Sequence, residues 1–386
     1  MAQSSHIVLG GGLSGGLAAL ALANAGRGTG VVVVEAGDTL GGNHTWSCHE
    51  TDLDEGARAL VIPLIAHRWP CHIVRFPGRE RRLDAGYVTV TSARFARLVR
   101  ERLARAGATV LTGAHAVEIG ARKVRLADGR TLAADVVLDA RGPEPAPRVD
   151  RGGFQKFVGV EVALEDDGPW DAPVVMDANV EQVDGFRFVY VLPFSRRHVL
   201  VEDTVYSEHA ELDADALERR AIAYAEQHGA RVARVLRREV GVLPLPAERP
   251  PAAGPPRVGP RPLAIGYRGG FFHGVTGYSL PEAARVAQAI ARSATPEETA
   301  AALDALVRER GRQRNLERLL SRLMFEAMPP STRWTALERF YRLPTDTIAR
   351  FYASRTTALD RARLLLGRPP AGLSWRRLLA GAREAA

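Results

Sequence analysis

A chain of 386 residues, 46% hydrophobic and 25% charged, has the length for two lobes and the composition of a folded protein. Its two cysteines, Cys48 and Cys71, lie too far apart for a cysteine metal motif and give no disulfide framework, which fits a reducing cytoplasm. The net charge of +8 rests on 52 basic residues, of which only Lys123 and Lys156 are lysine; without a nucleic-acid motif or aromatic platform it argues against DNA and RNA and leaves attraction to an anionic membrane surface.

A short apolar strand, His6–Leu9, runs into Gly10-Gly11-Gly12-Leu13-Ser14-Gly15 and an Ala/Leu-rich helix, and a second strand, Val31–Val34, ends on Glu35. Strand, glycine turn, helix, strand and terminal acid in this order specify a dinucleotide site. Gly10 permits the tight turn, Gly12 lets the backbone approach a pyrophosphate, and Gly15 lets helix and strand pack closely. The helix N-terminus favours negative charge. Glu35, twenty residues past Gly15, suits a ribose hydroxyl. A site that begins at residue 10 leaves no room for a signal peptide before it, and no uninterrupted apolar run is long enough to span a bilayer. The expected location is the cytoplasm, with membrane contact at most peripheral.

The tandem Gly41-Gly42 just past the second strand is typical of flavoproteins that use the FAD form of this unit, and puts Gly42 and His44 on the cofactor side. Ser92 is expected to cap an amphipathic helix reaching about Ala106, with Phe95, Leu98, Val99 and Leu103 on one face. Thr109–Leu111 reads as the next parallel strand. A meander with a turn at Asp128-Gly129 follows, and then an apolar strand whose end, Asp139 to Gly142, returns the chain to the cofactor.

From Phe154 to Val205 the pattern is strand-like, and reads as an antiparallel sheet. Asp213 caps a helix that stops at Gly229, a strand ends at Pro246, and the Pro-rich stretch Pro250 to Pro262 reads as an exposed connector. The chain then comes back to the first lobe through a late strand closed by Gly266. A loop carrying His273, Gly277 and Tyr278 follows, expected beside the flavin. From about Glu297 the chain is helical, with breaks at Pro329-Pro330 and Pro344. Leu316, Leu319, Leu320, Leu323 and Met324 share a face flanked by Arg314, Arg318 and Arg322, either core or a membrane-facing mouth. The fold class is therefore α/β. A three-layer, Rossmann-type FAD-binding lobe is expected over residues 1–150, with 263–295 returning to it. An antiparallel-sheet substrate lobe takes 151–250, and a helical segment at 296–386 shapes a tunnel or faces a membrane.

Several strings, in their shared order, carry a resemblance: Gly41 to Ser47 (GGNHTWS), Val74 to Pro77 (VRFP), Phe154 to Gly159 (FQKFVG), Glu202-Asp203-Thr204, Phe272 to Pro281 (FHGVTGYSLP), Arg339 to Pro344 (RFYRLP) and Ile348 to Tyr352 (IARFY). Together they resemble the bacterial lycopene β-cyclases over nearly the whole chain. One departure is Gly274, where that pattern has Pro or Ala after the histidine; it removes no functional atom. The resemblance implies an enzyme peripheral to the inner membrane that turns the ψ ends of lycopene and related carotenoids into β rings without net redox change. It uses reduced FAD, with NAD(P)H as external reductant, and contact with other carotenoid-pathway enzymes is compatible with it. No second glycine fingerprint opens a helix, so no dedicated nicotinamide domain is expected. Gly266 is followed by Tyr267 rather than the acid that flavin hydroxylases place there.

Cyclisation needs a proton on C2 of the terminal double bond, attack of C6 on the C1 cation, and loss of the C6 proton. That requires an acid, a cation stabiliser and a base in a dry tunnel. Glu202 ends an otherwise apolar strand, where desolvation would keep its carboxyl protonated near neutrality, and the resemblance implies an acidic site there. Glu202 is the first candidate and Asp203 the second; strand alternation turns neighbours to opposite faces, so one of the two acts. No metal is expected. Two other readings fit the same residues: an FAD-dependent reductase or monooxygenase acting on an isoprenoid or aromatic substrate, and a non-catalytic carotenoid-binding flavoprotein.

Overall fold

The computed structural model describes residues 5–143, 149–248, 259–374 and 376. Five parallel strands form the first sheet in the order Leu263–Ala264, Val136–Asp139, His6–Leu9, Val31–Val34, Thr109–Leu111. Period-two alternation divides their side chains between two buried faces. Val8, Val31, Val33, Val136 and Leu138 pack under the helices Leu13–Asn24, Ser92–Arg105 and Leu280–Arg292. Ile7, Leu9, Val34 and Val137 pack against a three-stranded meander through Val124 and Leu126. Burial on both faces accounts for the unbroken Val-Val-Val-Val run, which a one-sided sheet would interrupt with polar residues.

Two glycines set the distance between layers. A Cβ on Gly15 would lie 1.9 Å from the Gly10 carbonyl oxygen, and one on Gly16 would lie 2.5 Å from the Phe95 ring. Their absence lets the first helix settle on the first strand and receive Phe95 from the neighbouring helix. That neighbour is capped by Thr91, whose hydroxyl accepts from the Arg94 N–H at 3.4 Å. Ser92, expected as the cap, is instead the buried first residue of the helix.

The second sheet has seven strands, in the order Val232–Pro246, Gly152–Leu164, His198–Ser207, Phe186–Ser195, Val174–Asp177, His72–Phe76, Arg79–Leu83. It is not purely antiparallel, as expected from the sequence: Val174–Asp177 runs parallel to His72–Phe76. The hairpin His72–Leu83 thus reaches this sheet from the midst of the first 150 residues. One face packs the helix Ala214–Gln227 through Val160, Val189, Val201, Ala221 and Tyr224. The other packs the C-terminal helices through Phe186, Phe188, Leu200, Tyr206, Phe325 and Phe340. A small sheet of Thr45–His49, Tyr87–Thr91 and His67–Trp69 stands between the two large ones. The expected connector at Pro250 to Pro262 lies, up to residue 258, outside the described residues.

Candidate active site

One continuous cavity of about 860 Å³ runs from the glycine turn of the first sheet, beneath the second sheet, to the C-terminal helices. Gly10, Gly12, Glu35, Gly42 and Gly142 line one end. His44, Trp46, Tyr190, Glu202 and Tyr278 line the middle, and Leu320, Leu323, Leu337, Phe340 and Leu365 the far end.

At the glycine end Gly10 adopts φ +90°, and a Cβ on Gly12 would meet nothing within 4 Å, so the turn presents bare backbone to the cavity. Gly12 starts the helix without a side-chain cap, leaving first-turn N–H groups to an anion. The Glu35 carboxylate accepts from the N–H groups of Gly11 (2.6 Å) and Gly37 (2.7 Å), which fixes the turn to the second strand, and it keeps lone pairs toward the cavity. This end fits a pyrophosphate and a ribose. Among the described residues, no three His, Cys, Asp or Glu side chains converge as a metal would need.

The expected cofactor-side residues divide. Gly10, Gly12, Glu35, Gly42, His44, Gly142, Gly277 and Tyr278 reach the cavity. Gly15 does not, and acts through the close packing described above. Gly266 also lies off it: φ is +59°, and a Cβ would sit 2.6 Å from the Ser14 hydroxyl, so it brings the late strand onto the first helix. Asp139 points away, gripped by the Arg141 guanidinium at 2.8 and 2.7 Å. His273 is likewise withdrawn. Its Nε2 meets the Phe351 carbonyl at 3.1 Å and stands 3.7 Å from Glu317, so it ties its loop to the C-terminal helices. Burial lowers its pKa and favours the neutral ring. Lys156, also buried, is held by Asp184 and the Glu211 carbonyl, both at 2.6 Å.

The strand His198–Ser207 separates the two candidate acids. Glu202 opens into the cavity, and its Oε1 accepts from the Thr204 hydroxyl at 2.7 Å. Asp203 faces the other side of the sheet, fully buried, and accepts from Arg187 (3.0 Å) and Arg220 (2.7 Å). Alternation and these two cations rule Asp203 out as the acid in the cavity. Desolvation, reinforced by the charges of Glu239 and Asp203, raises the Glu202 pKa to about 8, so the carboxyl carries its proton at neutral pH.

Sequence reasoning named Tyr278 but missed the polar residues it joins near this carboxyl. Tyr278 meets Tyr87 at 2.7 Å, Tyr87 meets Tyr190 at 3.1 Å, and Tyr190 donates to the Ser47 hydroxyl at 2.9 Å, forming a hydroxyl chain along the cavity wall. Glu239 lies two strands from Glu202, its Oε2 accepting from Thr45 (2.9 Å) and Arg237 (2.7 Å). The small residue Gly159 was a usable signal for close approach; its partners follow only from strand register.

A family model described as lycopene cyclase protein matches residues 6–378. A lycopene beta-cyclase from Pantoea ananas is 40% identical over 369 residues, spanning 94% of this chain and 94% of that one. Among solved structures, a geranylgeranyl bacteriochlorophyll reductase-like protein from Thermoplasma acidophilum shares the fold with a TM-score of 0.63 at 15% identity, covering 99% of each chain. PqsL of P. aeruginosa, named a probable FAD-dependent monooxygenase, does so at 0.53 and 17%, again covering 99% of each. With a family model matched from the first strand to the C-terminal helices, and a relative matched at 40% identity over 94% of its length, this chain belongs to the lycopene cyclase family.

Proposed function

We propose that the protein is a lycopene β-cyclase, converting lycopene through γ-carotene to β-carotene with Glu202 as the acid. The observation that carries this is a buried carboxyl, its pKa pushed up by desolvation, facing an apolar cavity that joins a glycine turn to a helical far end. Glu202 delivers its proton to C2 of the ψ end; the C1 cation is captured by C6, and the C6 proton returns to the carboxylate. The C1–C6 bond forms at the expense of the C1=C2 π bond, loss of the C6 proton restores the C5=C6 double bond, and no electron is gained or lost. Trp46, Phe157 and the tyrosines exclude water and present π faces to positive charge.

FAD is the proposed cofactor. Gly10, Gly12 and the N-terminus of Leu13–Asn24 would hold its pyrophosphate, Glu35 a ribose, and Gly42, Gly142, Gly277 and Tyr278 the rest. When bound and reduced, it supplies an electron-rich ring that stabilises positive charge. NAD(P)H would serve as the reductant from outside the fold.

The lining of the cavity includes Leu365, 43% exposed, next to Leu366, 68% exposed, with Arg363 close in sequence. Among the described residues no helix is long and apolar enough to cross a membrane. A peripheral seat on the inner membrane, with this end of the cavity in the acyl layer, would admit a hydrocarbon substrate directly. The test is an anaerobic assay with lycopene in liposomes and FAD, with and without chemical reduction. β-Carotene of unchanged mass, formed only after reduction and without stoichiometric loss of NADH, supports the proposal. A product that has gained hydrogen or oxygen moves the chain to the reductases or monooxygenases, and unaltered, retained lycopene moves it to the carriers.

A further inference from the structure

Two strands flank Gly152–Leu164, and at Gly159 they present the same residue type from both sides. Glu202 pairs with Gly159 from one neighbour and Glu239 from the other. Gly159 has no side chain to hold them apart: a Cβ there would lie 2.8 Å from Glu239 Cγ and 3.1 Å from its Oε1. The notch lets the two carboxyls come within hydrogen-bonding reach. One oxygen of each is spoken for, Glu202 Oε1 by Thr204, and Glu239 Oε2 by Thr45 and Arg237, which leaves one oxygen of each carboxyl for the other.

From this geometry we infer that Glu239 is a positioning residue for cyclisation, forming with Glu202 a carboxyl pair that holds one proton between them across Gly159. The inference rests on the reading of Glu202 as the acid. Two carboxyls this close in a dry site do not both ionise. Arg237 and Thr45 donate to Glu239 Oε2, and the charge of Glu239 pushes the proton onto Glu202, the member that opens to the cavity. Glu239 itself is buried and does not line the cavity, so it acts through Glu202. The other groups facing the pair are His44, Tyr190, Tyr206, Arg237 and, beyond Arg237, Glu161, with Asp203 on the far face. His44 is held toward its neutral form by burial, so Arg237 is the cation that balances Glu239.

Infrared titration of the purified protein reads the pair without any turnover. The wild type should show a carboxylic C=O band that bleaches around pH 8 and is missing from Glu202→Gln. In Glu239→Gln the band should bleach at least a unit lower, about a tenfold loss of proton affinity. The alkaline limb of kcat/KM should fall with it. Arg237→Gln leaves the Glu239 charge unbalanced and should move both upward, which tests the pair should Glu239→Gln fail to fold. A band that titrates as in the wild type in the variants that fold overturns the pair. A wild type with this titration but no cyclised product would instead overturn the reading of the reaction, so the two failures are distinguishable.

Discussion

Glu202 and Asp203 are adjacent carboxylates whose environments differ in every respect that sets a pKa. One meets a dry cavity and a second carboxyl; the other meets two guanidinium groups. Glu202→Gln keeps the shape and removes the proton, so cyclisation should fall by about 10²–10⁴-fold, read by product chromatography, with flavin content unchanged. Asp203→Ala should cost about 3–5 kcal/mol of stability by leaving Arg187 and Arg220 unpaired, seen as a lower urea midpoint. The raised Glu202 pKa also has a sign for stability. From its ordinary value of 4.5 up to about 8, the folded chain keeps a proton that the unfolded chain has lost, so stability falls as pH rises through that window. Urea titrations across the window should show this slope in the wild type and a flatter one in Glu202→Gln. Glu202 was legible because an acid that follows the apolar run Val199-Leu200-Val201 is conspicuous. Glu239 was not, because its meaning depends on pairing with a strand that ends near Leu164, far back in the chain.

At the scale of elements, the glycine turn separates two functions that one motif conceals. Gly15→Ala would drive a Cβ into the Gly10 carbonyl, so it should lower the melting temperature and lose flavin together. Gly12→Ala meets nothing in the fold, so its melting temperature without flavin should match the wild type while flavin affinity falls, because the methyl occupies the space a pyrophosphate needs. Isothermal titration with FAD, beside a melting curve, distinguishes the two. The strands and helices that follow local periodicity were readable: His6–Leu9, Val31–Val34, Thr109–Leu111 and the helix after Asp213. The place of the hairpin His72–Leu83 was not. Its membership of the second sheet rests on parallel pairing with Val174–Asp177, a contact roughly a hundred residues distant that leaves no local signature.

Over the whole molecule, the cavity makes the two sheets and the C-terminal helices one device. The face of Gly311–Glu326 that sequence left between core and membrane mouth does neither alone: Leu319, Leu320, Leu323 and Met324 line the cavity wall, while Leu316 is buried. At this end of the chain Leu359, Leu365 and Leu366 are exposed apolar residues. Replacing Leu365 and Leu366 by Asp should weaken co-sedimentation with anionic liposomes by about an order of magnitude, leaving the melting temperature unchanged. The central claim is that Glu202 protonates C2 of a ψ end and no redox change follows. A single anaerobic turnover in D2O, with reduced FAD and lycopene in liposomes, tests it most directly. The account predicts one deuterium at C2 of the first ring formed, and ring formation slowed by the same large factor in Glu202→Gln; a first ring formed without solvent deuterium, or formed undiminished by Glu202→Gln, would contradict it.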